Sequence, residues 1–186
     1  MLVIAFLRTN PTQAELAQGF GISPVTCWRY IGEGIAALAG RGRRISLKDV
    51  AALAVKMGWD YVIVDGVHVP TVTFGRKTGG QRAFYSGKHK RHGLNVQAAC
   101  SPDGELLRAA APRPGATVDI TAAREAGIAE TLLVLIGVLA GNARLKYWKV
   151  LASELRCRPG QCTAVVKAVL ALHYMEHDPF EALRAA

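Results

Sequence analysis

The stretch Tyr61–Val69 reads YVIVDGVHV, a lone carboxylate, Asp65, between two apolar runs. An Asp-Gly pair in that setting is a strong hairpin signal. The competing reading is a rigid strand end that fixes a carboxylate where it can hold a hard cation. Phosphoryl transfer on DNA commonly uses two such ions, ~3.5–4 Å apart, to clamp the attacking and leaving oxygens. One aspartate cannot hold two ions, so Asp65 as a metal ligand demands partner carboxylates from other elements. A second chemical stretch is YSGKHKRHG, Tyr85–Gly93, in which Lys88, His89, Lys90, Arg91 and His92 are consecutive. It reads either as a solvated turn or as a patch for phosphates, whose contacts position a protein without reading sequence. A third is the series Cys157, Cys162, His173 and His177, close to the spacing of a Cys2His2 zinc site. Against zinc, Thr163–Leu172 is one apolar helical run with no hairpin before it, which favours core cysteines and helix-surface histidines.

Elements able to position these residues can be read along the chain. Thr12–Gly34, TQAELAQGFGISPVTCWRYIGEG, has a helix-turn-helix pattern. Thr12 and Glu15 form a capping box, Leu16 and Phe20 face a core, and Gly21 makes the turn. Ser23 caps the second helix and Pro24 takes its first position. Val25, Trp28 and Ile31 or Gly32 form the expected inner stripe. Thr26 and Arg29 are left facing outward, in the N-terminal half through which a recognition helix meets the major groove. A basic joint, Ala39–Arg44, leads to a helix capped by Ser46, with Leu47, Val50, Ala51, Ala54 and Met57 on one face and Gly58 at its end.

From Trp59 onward β-branched runs predict strands at Tyr61–Val64 and Val67–Phe74, then a basic loop, Gly75–Arg82. Leu94, Val96 and Ala98 alternate with Asn95 and Gln97, which predicts one buried and one polar face. Ser101–Gly104 is a turn and Glu105–Ala110 the returning strand. Asp119–Glu125 reads as a short helix and Asn142–Leu155 as a longer one, with Leu145, Trp148, Leu151 or Ala152, and Leu155 inward. Leu132–Ala140 suits a buried strand or helix. A three-strand meander followed by helices predicts an α/β arrangement with a mixed sheet.

The 186 residues carry a net charge of +9 and an isoelectric point near 9.7, which favours a polyanionic partner, phosphate backbones being the commonest. No segment approaches the ~20 apolar residues that span a bilayer, so no membrane partner is expected. The opening MLVIAFLRTN lacks the basic start and cleavage site of a secretory signal. Four cysteines without a framework pattern point to a reducing cytoplasm.

The segments LRTNPTQAELAQGFGISPVTCWRYIGEG, WDYVIVDGVHVPT, YSGKHKRHGLNVQ, SPDGELL, PGATVDITAAR and NARLKYWKVL–LRC resemble, in order, bacterial insertion-sequence transposases of the DDE type. The resemblance runs from about Leu7 to Val169, and YSGKHKRHG is its most specific piece. It implies an N-terminal helix-turn-helix that grips transposon terminal inverted repeats and an RNase H-like domain that cleaves and transfers strands with Mg²⁺. It also implies more chain before Met1, a nucleoid-associated cytoplasmic location, and admits a homo-oligomer. The implied organisation is a DNA-binding domain at 1–40, a helical linker at 41–58, a truncated RNase H-like mixed-sheet domain at 59–156 and a helical tail at 157–186.

By the same resemblance Asp65 matches the first catalytic aspartate and metal ligand. The family pattern then departs. Its second aspartate directly follows a Leu-Ala strand end, where this chain has Leu139, Ala140 and then Gly141. Its final glutamate stands three residues before the Asn of NARLK, where this chain has Leu139. One in-frame deletion near 140–142 accounts for both losses. Asp119 lies in a family-like segment that is not the metal position, and Glu125 and Glu130 do not sit at the strand tip. The expectation is a DDE transposase by family, defective in catalysis. The alternatives are a non-catalytic DNA-binding module, acting as a repressor of related elements, and an unfolded product of a decayed gene.

Overall fold

The computed structural model describes residues 1–42, 45–71, 81–132, 137–140, 148–153 and 159–184. The opening apolar residues form helix α1, Leu2–Thr9, which buries Phe6 and Leu7 and ends on Asn10 in the left-handed conformation. Thr12 starts α2, Gln13–Gly19, and its hydroxyl accepts from the Glu15 N–H while Glu15 reaches back to the Thr12 N–H. The capping box thus satisfies two orphan donors at once. Gly21, at φ +63°, makes the turn that a side chain would strain. Ser23 caps α3, Pro24–Arg41, with Pro24 at its first position.

The inner stripe of α3 differs from the expected one. Cys27 and Ile31 are buried, with Ile35 and Leu38 packed behind them, whereas Val25 is 80% exposed and Trp28 is also exposed. The stripe at i, i+4, i+8 therefore runs from Cys27, one-third of a turn from the face that large side-chain size alone suggests. Phe20, expected in the core, is 43% exposed, and its place beneath α2 is taken by Ala17 beside Leu16. Ser46 and Asp49 form a second capping box on α4, Leu47–Met57, which ends on left-handed Gly58. Leu47, Val50, Ala51 and Ala54 are buried as the periodicity requires, joined by Leu53, while Met57 is 51% exposed.

The sheet is built on β1, Tyr61–Pro70, a single strand that passes straight through Asp65-Gly66. This overturns the hairpin reading of that dipeptide and the division into two strands. Its cause lies in the pairing, since β3, Arg91–Cys100, runs antiparallel to it through the Asp-Gly pair, from Ile63↔Cys100 to Pro70↔Gly93. Between them stand α5, Gln81–Phe84, and the two-residue β2, Tyr85–Ser86, which also pairs with β3. After the Ser101–Gly104 turn, β4, Leu106–Ala109, returns antiparallel to β3, and β5, Arg113–Pro114, adds a short pairing to the same strand. Helices α6, Asp119–Glu125, and α7, Ile128–Leu132, lead to β6, Gly137–Ala140, which lies parallel to β1 on its other side. The sheet is mixed, as expected. Within the long helix expected at Asn142–Leu155, the described part is α8, Lys149–Ala152; residues 141–147 and 154–155 lie outside the described set, as does most of the expected basic loop.

The chain continues through α9, Pro159–Glu176, and α10, Glu181–Arg184. Both sheet faces are covered. On one, Val67, Val69, Leu94, Val96 and Ala98 pack with α1, α3, α8 and α9. On the other, Val62 and Leu107 meet α4, α7 and Phe180. The helix-turn-helix is thereby seated on the sheet, with α9 lying along α3. Covering both faces also overturns the polar-face reading of β3: Asn95 is 6% and Gln97 4% exposed.

Candidate nucleic-acid interface

The outward side of α3 carries Val25, Thr26, Arg29 and Tyr30. Thr26 is half-buried and its hydroxyl accepts from Ser23 Oγ at 2.9 Å, so it belongs to the cap as well as to the outer face. Arg29 is exposed, lies over the Tyr30 ring at 5.3 Å and approaches Glu33 at 3.7 Å. An exposed i,i+4 pair of that kind contributes about 0.3–0.5 kcal/mol, which leaves the guanidinium able to exchange Glu33 for a phosphate or a base edge. Val25 and Tyr30 escaped sequence reasoning because size suggested burial for the first and no motif marked the second.

The basic stretch forms a turn at Gly87–Lys90 that leads into β3, with Lys90 held at φ +53°. Lys88, His89, Lys90 and Arg91 are all exposed there. The His89 N–H donates to Ser86 Oγ at 3.3 Å, and Lys88 Nζ stands 3.5 Å from Asp119 Oδ2. The turn is thereby tied to the start of α6, a distant segment of the chain. Beneath it lies a buried amide chain in which Gln97 Nε2 donates to Asn95 Oδ1 at 2.9 Å. Asn95 Nδ2 donates to the Thr117 carbonyl at 2.9 Å and to Asp119 Oδ1 at 2.7 Å. A Cβ at Gly66 would run into Asp119 and Gln97, so glycine is what lets this network close over β1. His68, next on the same face, stacks on His89 with ring centroids 4.5 Å apart. Neither ring nitrogen of His68 has a hydrogen-bond partner among the described residues, although both are buried. Burial, followed by the nearby His89 and Arg91, pushes its pKa down to about 4, so the ring is neutral at pH 7.

Asp65 lies on the other side of β1, half-buried, on the face that bears Ile63 and Val67. Its cross-strand partner is Ala98. On the parallel side Val64 pairs with Ala140, the last residue of β6. Neither neighbour is a metal ligand. Among the described residues no three His, Cys, Asp or Glu side chains converge on a point that could hold an ion. The residues described around Asp65 do not fit a two-ion centre. Asp119 is set apart on the opposite sheet face, and Glu125 pairs with Arg113 at 3.1 Å.

The zinc-like series is likewise dispersed. Cys157 lies outside the described residues, Cys162 is buried against the core, and His173 meets the Leu106 carbonyl and Glu105. Burial lowers the pKa of His173, a shift that the adjacent Glu105 opposes. His173 is therefore a core histidine and not the helix-surface residue expected. No described helix is long and apolar enough to cross a membrane.

Residues 1–44 match the helix-turn-helix of DDE superfamily endonuclease, and residues 64–142 match the DDE superfamily endonuclease itself. No curated protein sequence and no solved structure matches. The two matched segments hold the capped helix pair and the sheet that carries Asp65, in that order along the chain. The chain therefore belongs to the DDE superfamily endonucleases, transposases that join a DNA-binding helix-turn-helix to a divalent-metal-dependent nuclease domain.

Proposed function

We propose that this chain is a DDE-type transposase that has kept its grip on DNA and lost its catalytic clamp. The observation that carries the reading is the neighbourhood of Asp65: Ala98 opposite it on β3, and β6 ending in Ala140 alongside Val64. By resemblance the second aspartate follows that Leu-Ala end directly, and here the next residue is Gly141. The match to the endonuclease family stops at residue 142, which agrees with a segment removed at that point. With one acidic ligand of three, both the affinity for Mg²⁺ and the stabilisation of charge at the scissile phosphate collapse.

The DNA-holding parts are by contrast intact. Both caps of the helix-turn-helix are formed, Arg29 faces solvent, and Lys88, His89, Lys90 and Arg91 present a basic turn. These residues hold the terminal inverted repeats of an element, Thr26 and Arg29 in the major groove and the turn on backbone phosphates. The intact caps also favour a second reading, in which the protein serves solely as a repressor that occupies the ends of related elements. A mobility-shift titration with terminal-repeat duplexes tests the binding. Salt-sensitive complexes weakened by Arg29→Ala, without cleavage products in Mg²⁺, agree with the proposal; absence of any complex refutes it.

A further inference from the structure

Two family-like motifs, Tyr85–Gly93 and Pro114–Arg124, close around one cleft of about 350 Å³. The cleft opens on the sheet face opposite Asp65. Its rim carries a cation, Lys88, and a carboxylate, Asp119, side by side as an exposed ion pair at 3.5 Å. A phosphate alone would meet the carboxylate, and a metal ion alone would meet the ammonium. A neutral planar group bearing both donors and acceptors suits the pair. The cleft also offers a flat face, since His89 is exposed and is backed by the neutral His68 ring 4.5 Å beneath it. Imidazole is one of the rings on which unpaired bases stack. The exposed basic residues Lys90 and Arg91 follow His89 directly in the chain and suit the attached backbone.

We infer that this cleft takes a single unpaired nucleobase, stacked on His89 with its edge hydrogen-bonded to the Lys88–Asp119 pair, when the protein holds DNA. The inference rests on the DNA-binding reading above and assigns His89 a base contact in place of a phosphate contact. His68 acts here as a positioning residue: it supports the stacking ring and touches no base itself. The carboxylate favours bases with an exocyclic amine, which donates to it.

The test compares terminal-repeat duplexes that carry a short single-stranded tail of either deoxycytidines or abasic deoxyribose phosphates, equal in charge, by fluorescence anisotropy. The cytosine tail is expected to bind at least about fivefold tighter, the scale of one base stack. His89→Ala abolishes that preference and His89→Phe restores it, each tail preference being taken relative to the same protein's affinity for the blunt duplex. Equal affinity for both tails, or a preference that survives His89→Ala, overturns the inference and leaves duplex binding standing. Failure to bind any of these DNAs overturns both readings.

Discussion

Acidification should destabilise this protein through His68 in a window that the structure defines. His68 sits between β3 and the basic turn with both ring nitrogens buried, facing His89 and Arg91 as like charges and Asp119 as the single opposing one. Its pKa falls from about 6.5 in the unfolded chain to about 4 in the folded one. The unfolded chain therefore binds a proton first as the pH falls. The stability that neutral His68 contributes is whole above pH ~6.5 and is lost progressively down to pH ~4. The gap sets a ceiling of about 3 kcal/mol, and partial exposure of the residue reduces this to about 1–2 kcal/mol through solvent screening. The assay is urea unfolding by circular dichroism at half-unit intervals from pH 7.5 to 4, for the wild type and His68→Gln. Buried His173 contributes a slope of the same sign to both proteins, so the difference between them isolates His68. The wild type should lose about 1–2 kcal/mol more than the variant across the window. Parallel curves, or a variant that loses more, would refute the placement of a neutral imidazole in this site.

Ile31→Ala empties a buried site beneath α3 and should cost about 2–5 kcal/mol by chemical denaturation, while Val25→Ala on the exposed face should change stability by less than about 0.5 kcal/mol. Gly66→Ala should cost about 1–3 kcal/mol, because its Cβ meets Asp119 and Gln97. Gly32→Ala, with nothing within 4 Å of its Cβ on a mid-helix site, should raise stability by about 0.5–1 kcal/mol in the same melts. Arg29→Ala should weaken binding of the terminal-repeat duplex by about 1–3 kcal/mol and relax its sequence preference, as loss of a major-groove base contact does, read by competition with unrelated duplexes.

Much of the fold is legible because its signals are local. Thr12-Glu15, Ser23-Thr26 and Ser46-Asp49 mark helix starts through hydrogen bonds made within three residues, and each helix begins where its cap stands. Asp65-Gly66 misled because a dipeptide cannot report what pairs with it. Eight consecutive partners on β3 hold the chain straight through a sequence that elsewhere turns. Asn95 and Gln97 misled for the same reason, since their burial depends on Asp119 and Thr117 folding over them from a distant segment. The stacking of His68 on His89 joins residues on different strands and turns, and no spacing rule could bring them together. Asp65 was legible as a candidate ligand. That its described strand neighbours are alanines and not acids needed the register.

The central claim is tested most directly by incubating supercoiled plasmid carrying the terminal repeats with the purified full chain in Mg²⁺ or Mn²⁺ at low salt. Nicked and linear products are resolved on a gel, with complex formation followed in parallel. The account predicts a stable, salt-sensitive complex and no metal-dependent nicking above that of Asp65→Ala. Nicking that needs the metal and disappears in Asp65→Ala would contradict it.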